Sequence, residues 1–176
     1  LMSSEISTYL TGRYVSIPVY TLSFKEYLDF KADSTLSRRE LLEEYIRFGG
    51  FPIIALSEYD EQSAYQIVNG IYHTVVSRDI VKRHRKVSVE SIYNYLRWLE
   101  QAFIIYPCER YDLQGKSILK TQEKFYLADT ALRYSVLGYT PDSVASSLEN
   151  VVYLELCRRG YTVTIGKTPD GEVDFV

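Results

Sequence analysis

Apolar residues recur at intervals of three and four along much of the chain, which is the spacing that places them on one face of an α-helix. The longest such stretch covers residues 60–85, and another covers 88–103. Shorter helices are predicted at 23–28 and 37–48, because each begins with a serine followed three residues later by glutamate, as in a capping box. Helices therefore predominate in the predicted secondary structure.

Alternating and β-branched stretches predict two strands, at 103–111 and 117–127, and Gly115 is expected to supply a positive φ in the loop between them. A helix followed by such a hairpin is the latter half of a winged helix. Residues 14–20 also alternate, but a lone strand is not stable, so their partner strands are expected outside the chain. Asp129 is predicted to cap a short helix after the hairpin. The pattern as a whole predicts an α+β protein that is predominantly helical.

Composition and charge narrow the function classes. With 176 residues, of which 46% are hydrophobic, the chain can bury a core in one domain or in two small ones. A net charge of −3 gives no general attraction to nucleic acid, so such binding would need a local patch. Two cysteines beside apolar residues predict buried free thiols in a reducing compartment. Neither a signal peptide nor a membrane-spanning apolar run is present, so we expect a cytoplasmic protein without membrane contact.

Five short motifs occur along the chain in this order: LTGR at 10–13, LSFKEYL at 22–28, GGFP at 49–52, SRDIVKR at 77–83, and LEN through DF at 148–175. Together they resemble the C-terminal region of a large bacterial and archaeal family of predicted AAA+ ATPases. The resemblance covers nearly the whole chain. In that family an ATPase core comes first, followed by a helical part, a winged helix and a small nuclease-like domain.

The resemblance implies four parts within the chain. They are the tail of an AAA+ core at 1–22, a helical region at 23–76, a winged-helix-like domain at 77–140, and the start of a PD-(D/E)XK, restriction-endonuclease-like α/β unit at 141–176. The chain has no Walker A loop, so ATP would be bound by a core upstream of it. Family members have further helices where Lys86 is followed here by Val87. Residues are therefore expected to be absent there, through a natural deletion or because the numbering joins segments of a longer chain.

A basic run forms the candidate nucleic-acid site; its cations are Arg78, Lys82, Arg83, Arg85 and Lys86. Such a run can neutralise phosphates and release counterions, although it equally suits a solvated helix end whose cations complement the helix dipole. The predicted winged helix adds further cations on its helix and hairpin, namely Arg97, Lys116, Lys120 and Lys124. The combination favours DNA contact. Docking of a protein partner is the alternative, because winged helices serve that role too.

The resemblance also implies a metal site. Nucleases of the PD-(D/E)XK type hold a divalent cation with a helix glutamate, an aspartate at the start of a strand, and a further acid two residues before a lysine on the next strand. Glu149 and Asp174 match the first two and are the candidate catalytic residues and Mg²⁺ ligands. The third strand would follow Val176. Glu172 is either a further ligand or a polar turn residue.

Two residues have competing interpretations. Glu149 could instead pair with Arg158 or Arg159 at the surface. Arg13 follows the phrase Leu-Thr-Gly, and in AAA+ relatives an arginine near this place can reach a neighbouring subunit's γ-phosphate, which makes it a third candidate catalytic residue. The alternative is an ordinary surface arginine beside a glycine cap.

The sequence thus predicts the C-terminal part of an AAA+ family ATPase. It would couple upstream ATP binding and hydrolysis to the binding of DNA, of other copies of the ATPase or of a protein partner, and its nuclease-like domain would have weak or no activity. A non-catalytic docking module and a metal-dependent DNA nuclease are the two alternatives. Steep salt dependence of DNA binding favours the first interpretation, and salt-insensitive association through apolar surface favours the docking module.

Overall fold

A computed structural model describes residues 15, 17–76 and 91–176, without the side chains of residues 91–92 and 120–122. Its helices are α1 (Phe24–Phe30), α2 (Arg38–Phe48), α3 (Pro52–Ala55), α4 (Glu61–Val75), α5 (Ser91–Gln101), α6 (Thr130–Leu137) and α7 (Val144–Arg158). Its strands are β1 (Ile105–Asp112), β2 (Ser117–Leu127), β3 (Ile165–Thr168) and β4 (Gly171–Val173). About half of the described residues are helical, so the predicted α+β class is confirmed.

The helix starts follow from local sequence. In α1 the Ser23 side chain accepts a hydrogen bond from the Glu26 backbone N–H, and the Glu26 side chain accepts one from the Ser23 backbone N–H. Ser37 and Glu40 form the same reciprocal pair at α2. Both predicted capping boxes are therefore confirmed. Asp129 caps α6 as predicted, because its side chain accepts a hydrogen bond from the Ala131 N–H.

The four described strands form one mixed sheet in the order β2-β1-β3-β4. β1 pairs antiparallel with β2 and parallel with β3, and β4 pairs antiparallel with β3. The connection from the hairpin to β3 runs through α6 and α7. Strands from the predicted parts 77–140 and 141–176 thus share one sheet. The winged-helix assignment and the four-part division stay predictions.

Two local expectations differ from the structure. The positive φ in the hairpin loop belongs to Lys116, at 50°, and Gly115 does not have one. Glycine suits position 115 because there is little space for a side chain, since a Cβ there would lie 2.7 Å from Asp112 Oδ2. The alternating stretch at 14–20 shows no strand in its described residues, 15 and 17–20. Val15, Ile17 and Val19 are exposed, as expected where no neighbouring strand covers them.

Three apolar clusters hold the described elements together. The largest joins α3, α4, α5, the start of β1 and α6 through Ile54, Ala64, Val68, Leu99, Ala102, Ile104, Ile105, Ala131 and Leu132. A smaller one joins α1, α2 and α3 through Tyr27, Leu41, Tyr45 and Ala55. The third packs α7 on the sheet through Cys108, Tyr126, Tyr153, Leu154 and Ile165. This third cluster positions the polar side chains described next.

The thiols and the helix lengths complete the comparison with the sequence. Cys108 is buried, Cys157 is half-buried, and both are free. The predicted free thiols are therefore confirmed, although only one of them is fully buried. Within the part of the chain that the structure describes, no helix has the length and apolar character needed to cross a membrane.

Candidate functional site

Asn150 fixes α7 against the end of β2. Its Oδ1 accepts a hydrogen bond from the Leu127 N–H at 2.7 Å, and its Nδ2 donates to the Leu127 carbonyl at 2.8 Å. The Asn150 side chain is buried, so both bonds are shielded from water and gain strength from the low local dielectric. One turn further along, Tyr153 stacks on Tyr126 of β2 with ring centroids 4.1 Å apart. These contacts fix the position of α7 against β2 and therefore determine which side chains the neighbouring Glu149 can contact.

Glu149 is held by two side chains of β2. Its Oε1 accepts hydrogen bonds from Lys124 Nζ at 2.5 Å and from Tyr126 Oη at 2.6 Å. Lys124 and Tyr126 are two residues apart on a strand and therefore lie on the same face of the sheet. The Glu149 side chain is only 19% exposed. Its carboxylate is thus turned toward the sheet and is already paired with a cation.

The pairing extends across the sheet to β4. Lys124 Nζ also donates to Glu172 Oε1 at 3.2 Å, and Arg110 Nη1 of β1 donates to Glu172 Oε2. Arg110, Glu172, Lys124 and Glu149 therefore form a row of alternating charges, which we name the charged network. It draws one side chain from each of β1, β4, β2 and α7.

The surroundings shift the pKa values of several of these groups. Burial lowers the pKa of Lys124, but its hydrogen bonds to Glu149 and Glu172 outweigh burial and leave it raised. The hydrogen bond from Arg110, followed by that from Lys124, holds the pKa of Glu172 below its ordinary value. Burial and then the hydrogen bond to Glu149 raise the pKa of Tyr126. Lys124 and Glu172 are therefore charged, and the Tyr126 hydroxyl is neutral, at physiological pH.

Asp174, the second predicted metal ligand, follows β4 and is exposed. The next residue, Phe175, has its ring centroid 6.1 Å from that of Tyr126, so Asp174 lies in the same region as the Tyr126 side chain. Within the described residues it has no hydrogen bond or ion pair, whereas Glu149 has two partners. The two acids thus lie in the same region but in different environments.

The charged network bears on whether the predicted acids suit magnesium. No group of three or more His, Cys, Asp or Glu side chains among the described residues is arranged to hold a metal ion. The Glu149 carboxylate is in contact with the Lys124 ammonium, which would repel a divalent cation. As they are arranged, Glu149 and Asp174 do not fit a magnesium ion. Their catalytic roles stay predictions.

The predicted nucleic-acid residues are only partly described. Arg97 on α5 and Lys116 in the hairpin loop are exposed, and neither has an ion pair among the described residues. The side chain of Lys120 lies outside the described part, as do Arg13 and the whole basic run, Arg78, Lys82, Arg83, Arg85 and Lys86. Lys124, which the sequence pattern groups with these cations, is instead engaged in the charged network.

The proposed surface pairing of Glu149 with Arg158 or Arg159 is wrong. Arg158 Nη2 donates to the carbonyl of Thr21 at 2.7 Å, and Arg159 pairs with Glu155 one turn earlier on α7. Lys124 takes their place because β2 lies directly beside the start of α7. Sequence reasoning missed this partner, since nothing in the local pattern links residues 25 positions apart. The one available signal is the alternation that puts Lys124 and Tyr126 on one face of β2.

The fold is thus an α+β arrangement in which a helix carrying Glu149 packs on a small mixed sheet. Residues 81–143 match a family described as a domain of unknown function, DUF8612. The whole chain is 36% identical to an uncharacterized protein of Haemophilus influenzae over 214 aligned positions, which cover 53% of that protein. It is 31% identical to an uncharacterized protein of Methanocaldococcus jannaschii over 225 positions, or 50% of that protein. No solved structure gives a significant match.

The lengths of these alignments carry further information. The chain spans about half the length of the curated relatives it matches. The 214 and 225 aligned positions exceed the 176 residues of the chain by 38 and 49. Both relatives therefore contain residues, within the aligned region, that this chain lacks. Such an excess is expected if residues are absent between Lys86 and Val87, and the location of the extra residues stays a prediction.

Proposed function

We propose that the chain is the C-terminal part of an AAA+ family ATPase that couples ATP binding and hydrolysis by an upstream core to the binding of DNA. In this proposal the region at 77–140 acts as a winged helix, and the unit at 141–176 is nuclease-like with weak or no cleavage activity. The observation that carries the weak or absent cleavage in this proposal is the contact between Lys124 and Glu149. The acid that matches the nuclease pattern is Glu149, and in this contact its carboxylate is neutralised by the Lys124 ammonium.

The nuclease-like character is supported by the order of elements. A helix carrying Glu149 is followed by β3 and β4, and Asp174 comes directly after β4. This is the order in which PD-(D/E)XK nucleases present their first two acids. Weak or absent cleavage is supported by the ammonium at Glu149, because a carboxylate that is hydrogen-bonded to a lysine offers a metal less charge and fewer free lone pairs.

DNA binding is supported by the placement of two cations. Arg97 on α5 and Lys116 at the hairpin turn are exposed. In a winged helix, the recognition helix and the wing are exposed and contact the DNA duplex, and α5 and the hairpin would take these two roles. The basic run at 78–86 lies between α4 and α5 in the sequence. Several phosphate contacts together supply most non-specific affinity.

The ATPase part of the proposal rests on the resemblance and on protein length. The curated relatives are about twice as long as the part that this chain matches, which leaves room in those proteins for a core that binds ATP. Arg13 would then lie near the end of that core and serve as an arginine finger toward a neighbouring copy. The relatives are themselves uncharacterized, so their names give no evidence for a particular activity.

The DNA proposal is tested by fluorescence anisotropy of a labelled duplex over a range of salt concentrations. We expect the triple variant Lys82→Glu, Arg83→Glu, Arg85→Glu to lose about ten-fold or more in affinity and to show a salt slope smaller by about three. The matched control reverses three exposed cations elsewhere, Lys25, Arg38 and Lys167. It changes the net charge equally and should retain the slope.

Two outcomes would contradict DNA binding through the basic run. One is an unchanged affinity and salt slope in the triple variant. The other is an equal loss in the control, because that would indicate a general charge effect. Association with a protein that is insensitive to salt and unaffected by DNA would favour the docking module instead.

Cleavage is tested separately, with plasmid substrate and the full-length protein in Mg²⁺ or Mn²⁺. We expect no nicking by the wild type above the level of a Glu149→Ala variant. Nicking that requires Glu149 would contradict the proposed inactivity and support the metal-dependent nuclease.

A further inference from the structure

The charged network brings two carboxylates to a single ammonium. Lys124 Nζ lies 2.5 Å from Glu149 Oε1 and 3.2 Å from Glu172 Oε1, so the two oxygens are within about 6 Å of each other. Oxygens that share one magnesium ion lie at most about 4 Å apart, because each bond to the ion is about 2.1 Å long. A small movement of either glutamate would therefore allow a metal to replace the ammonium.

We propose that Lys124 is a built-in cation that takes the position of a divalent metal between Glu149 and Glu172 and keeps this site closed to metal. The proposal deepens the proposed function and rests on it only in treating the terminal unit as nuclease-like. It predicts that the two glutamates are latent metal ligands, and that one lysine decides whether they act as such.

Charge balance supports the exclusion of metal. Two carboxylates, Glu149 and Glu172, face two cations, Lys124 and Arg110, so the network has no net charge to attract a further cation. An incoming divalent ion would lie beside both cations and would have to break the hydrogen bonds of Lys124. It would also have to be partly dehydrated, which magnesium resists.

The support around Lys124 makes the ammonium a fixed part of the site. Lys124 projects from β2, and its Nζ lies 5.7 Å from the centroid of the Tyr126 ring on the same strand. The Tyr126 hydroxyl donates the second hydrogen bond to Glu149, which orients the carboxylate toward the ammonium. Arg110 does the same for Glu172 from β1. Each member is carried by a helix or strand, so the geometry does not depend on a loop.

The experiment measures Mn²⁺ binding to the 176-residue chain, by the loss of the free-ion electron paramagnetic resonance signal and by the shift in Tm on adding Mn²⁺. We expect no specific binding to the wild type or to Lys124→Arg, which keeps the charge. Lys124→Met and Lys124→Gln should each bind one ion, with an affinity roughly ten-fold or more above any residual non-specific binding by the wild type, and their Tm should rise with Mn²⁺. Adding Glu149→Gln or Glu172→Gln to Lys124→Met should abolish the gain.

Two results would overturn the proposal. The first is Mn²⁺ binding by the wild type that Glu149→Gln removes, and this result is decisive whether or not any lysine variant folds. The second is a folded Lys124→Met or Lys124→Gln protein that binds no more Mn²⁺ than the wild type, which would make the network an ordinary structural ion pair. Neither measurement depends on DNA binding or cleavage, so failure here is distinguishable from failure of the proposed function.

Discussion

The Asp129 carboxylate accepts a hydrogen bond from the backbone N–H of Gly50 at 2.8 Å, although 79 residues separate the two. The other oxygen of the same carboxylate accepts from the Ala131 N–H at 2.9 Å. Asp129 therefore caps α6 and also binds the turn that follows α2. Because the side chain is only 2% exposed, this contact is a buried link between two parts of the chain that are distant in sequence.

Replacing Gly49 by alanine should disturb this link. Gly49 has a φ of 75°, and an added Cβ would lie 1.7 Å from Asp129 Oδ1. Both the backbone strain and the clash destabilise the fold, so we expect Gly49→Ala to lower the free energy of unfolding by about 3 kcal/mol. Urea denaturation measures the loss. The matched control is Gly138→Ala, with a φ of 74° and nothing within 4 Å of the added Cβ.

The control should lose only the backbone contribution, about 1 kcal/mol. Equal losses in the two variants would show that the approach of Asp129 to Gly49 does not matter to stability.

Asp129 should also make stability depend on pH. Burial raises the pKa of its carboxyl to about 6, against the opposing effect of hydrogen bonds from Ala131 and Gly50. The folded protein then binds this proton more tightly than the unfolded chain, whose aspartate titrates near 3.9. The stabilising contribution of the protonated form is fully present below about pH 4 and is lost as the pH rises through about 6, by up to about 3 kcal/mol.

Asp129→Asn isolates this effect because asparagine does not titrate. We expect the free energy of unfolding of the wild type, relative to Asp129→Asn, to fall between about pH 4 and pH 6, with urea denaturation at each pH as the measurement. The variant should be less stable overall, because asparagine has one side-chain oxygen that can accept hydrogen bonds, whereas the aspartate carboxylate has two. A pH-independent difference between the two proteins would rule out titration of Asp129 in this range.

Asn150→Asp should weaken the contact between α7 and β2. The substitution keeps the shape of the side chain but replaces the amide that donates to the Leu127 carbonyl with an ionised oxygen. We expect a loss of about 2–3 kcal/mol at neutral pH and partial recovery in acid, where a protonated carboxyl can donate again. Thermal unfolding at several pH values checks this. Asn94→Asp, at a half-buried position on α5, should change stability by less than about 0.5 kcal/mol.

A loss at Asn150 that does not recover as the pH falls would exclude the lost donor as its cause. So would an equal loss in the Asn94 control.

Arg158 should hold the segment before α1 in place. Its Nη2 donates to the Thr21 carbonyl at 2.7 Å, and its guanidinium lies 5.4 Å from the Tyr20 ring centroid. We expect Arg158→Ala to speed amide hydrogen exchange in the peptide that contains Thr21 by roughly five-fold. Arg159→Ala is the matched control, because Arg159 is the next residue on the same helix but pairs only with Glu155 among the described residues. Faster exchange in both variants would point to loss of α7 itself.

The helices and strands were largely predictable from the sequence. The two capping boxes, the hairpin strands and the Asp129 cap appear where the local pattern puts them. Each cap depends on groups within about four residues of one another, and each strand on an alternation within its own residues, so the information lies in a short stretch of chain. The positive φ at Lys116 was not predictable in this way, because the local pattern favoured glycine at position 115 for that conformation.

The candidate site was predictable only in part. Glu149 was identified from a resemblance in its surrounding phrase, but its partners Lys124 and Tyr126 were not. The same holds for Glu172, whose binding to Arg110 spans 62 positions. Such pairs leave no periodic trace in a single sequence, since each residue alone reads as an ordinary polar position on a strand or turn.

The sequence by itself determined the α+β class, the main helices and strands, and the caps that bound them. Hydrogen bonds and side-chain periodicity within single elements are enough to specify these features. Only the tertiary structure decided that β1 also pairs with β3, that Asp129 binds Gly50, and that Lys124 lies between Glu149 and Glu172. These contacts join residues tens of positions apart, and they form only when burial of apolar side chains brings distant elements together.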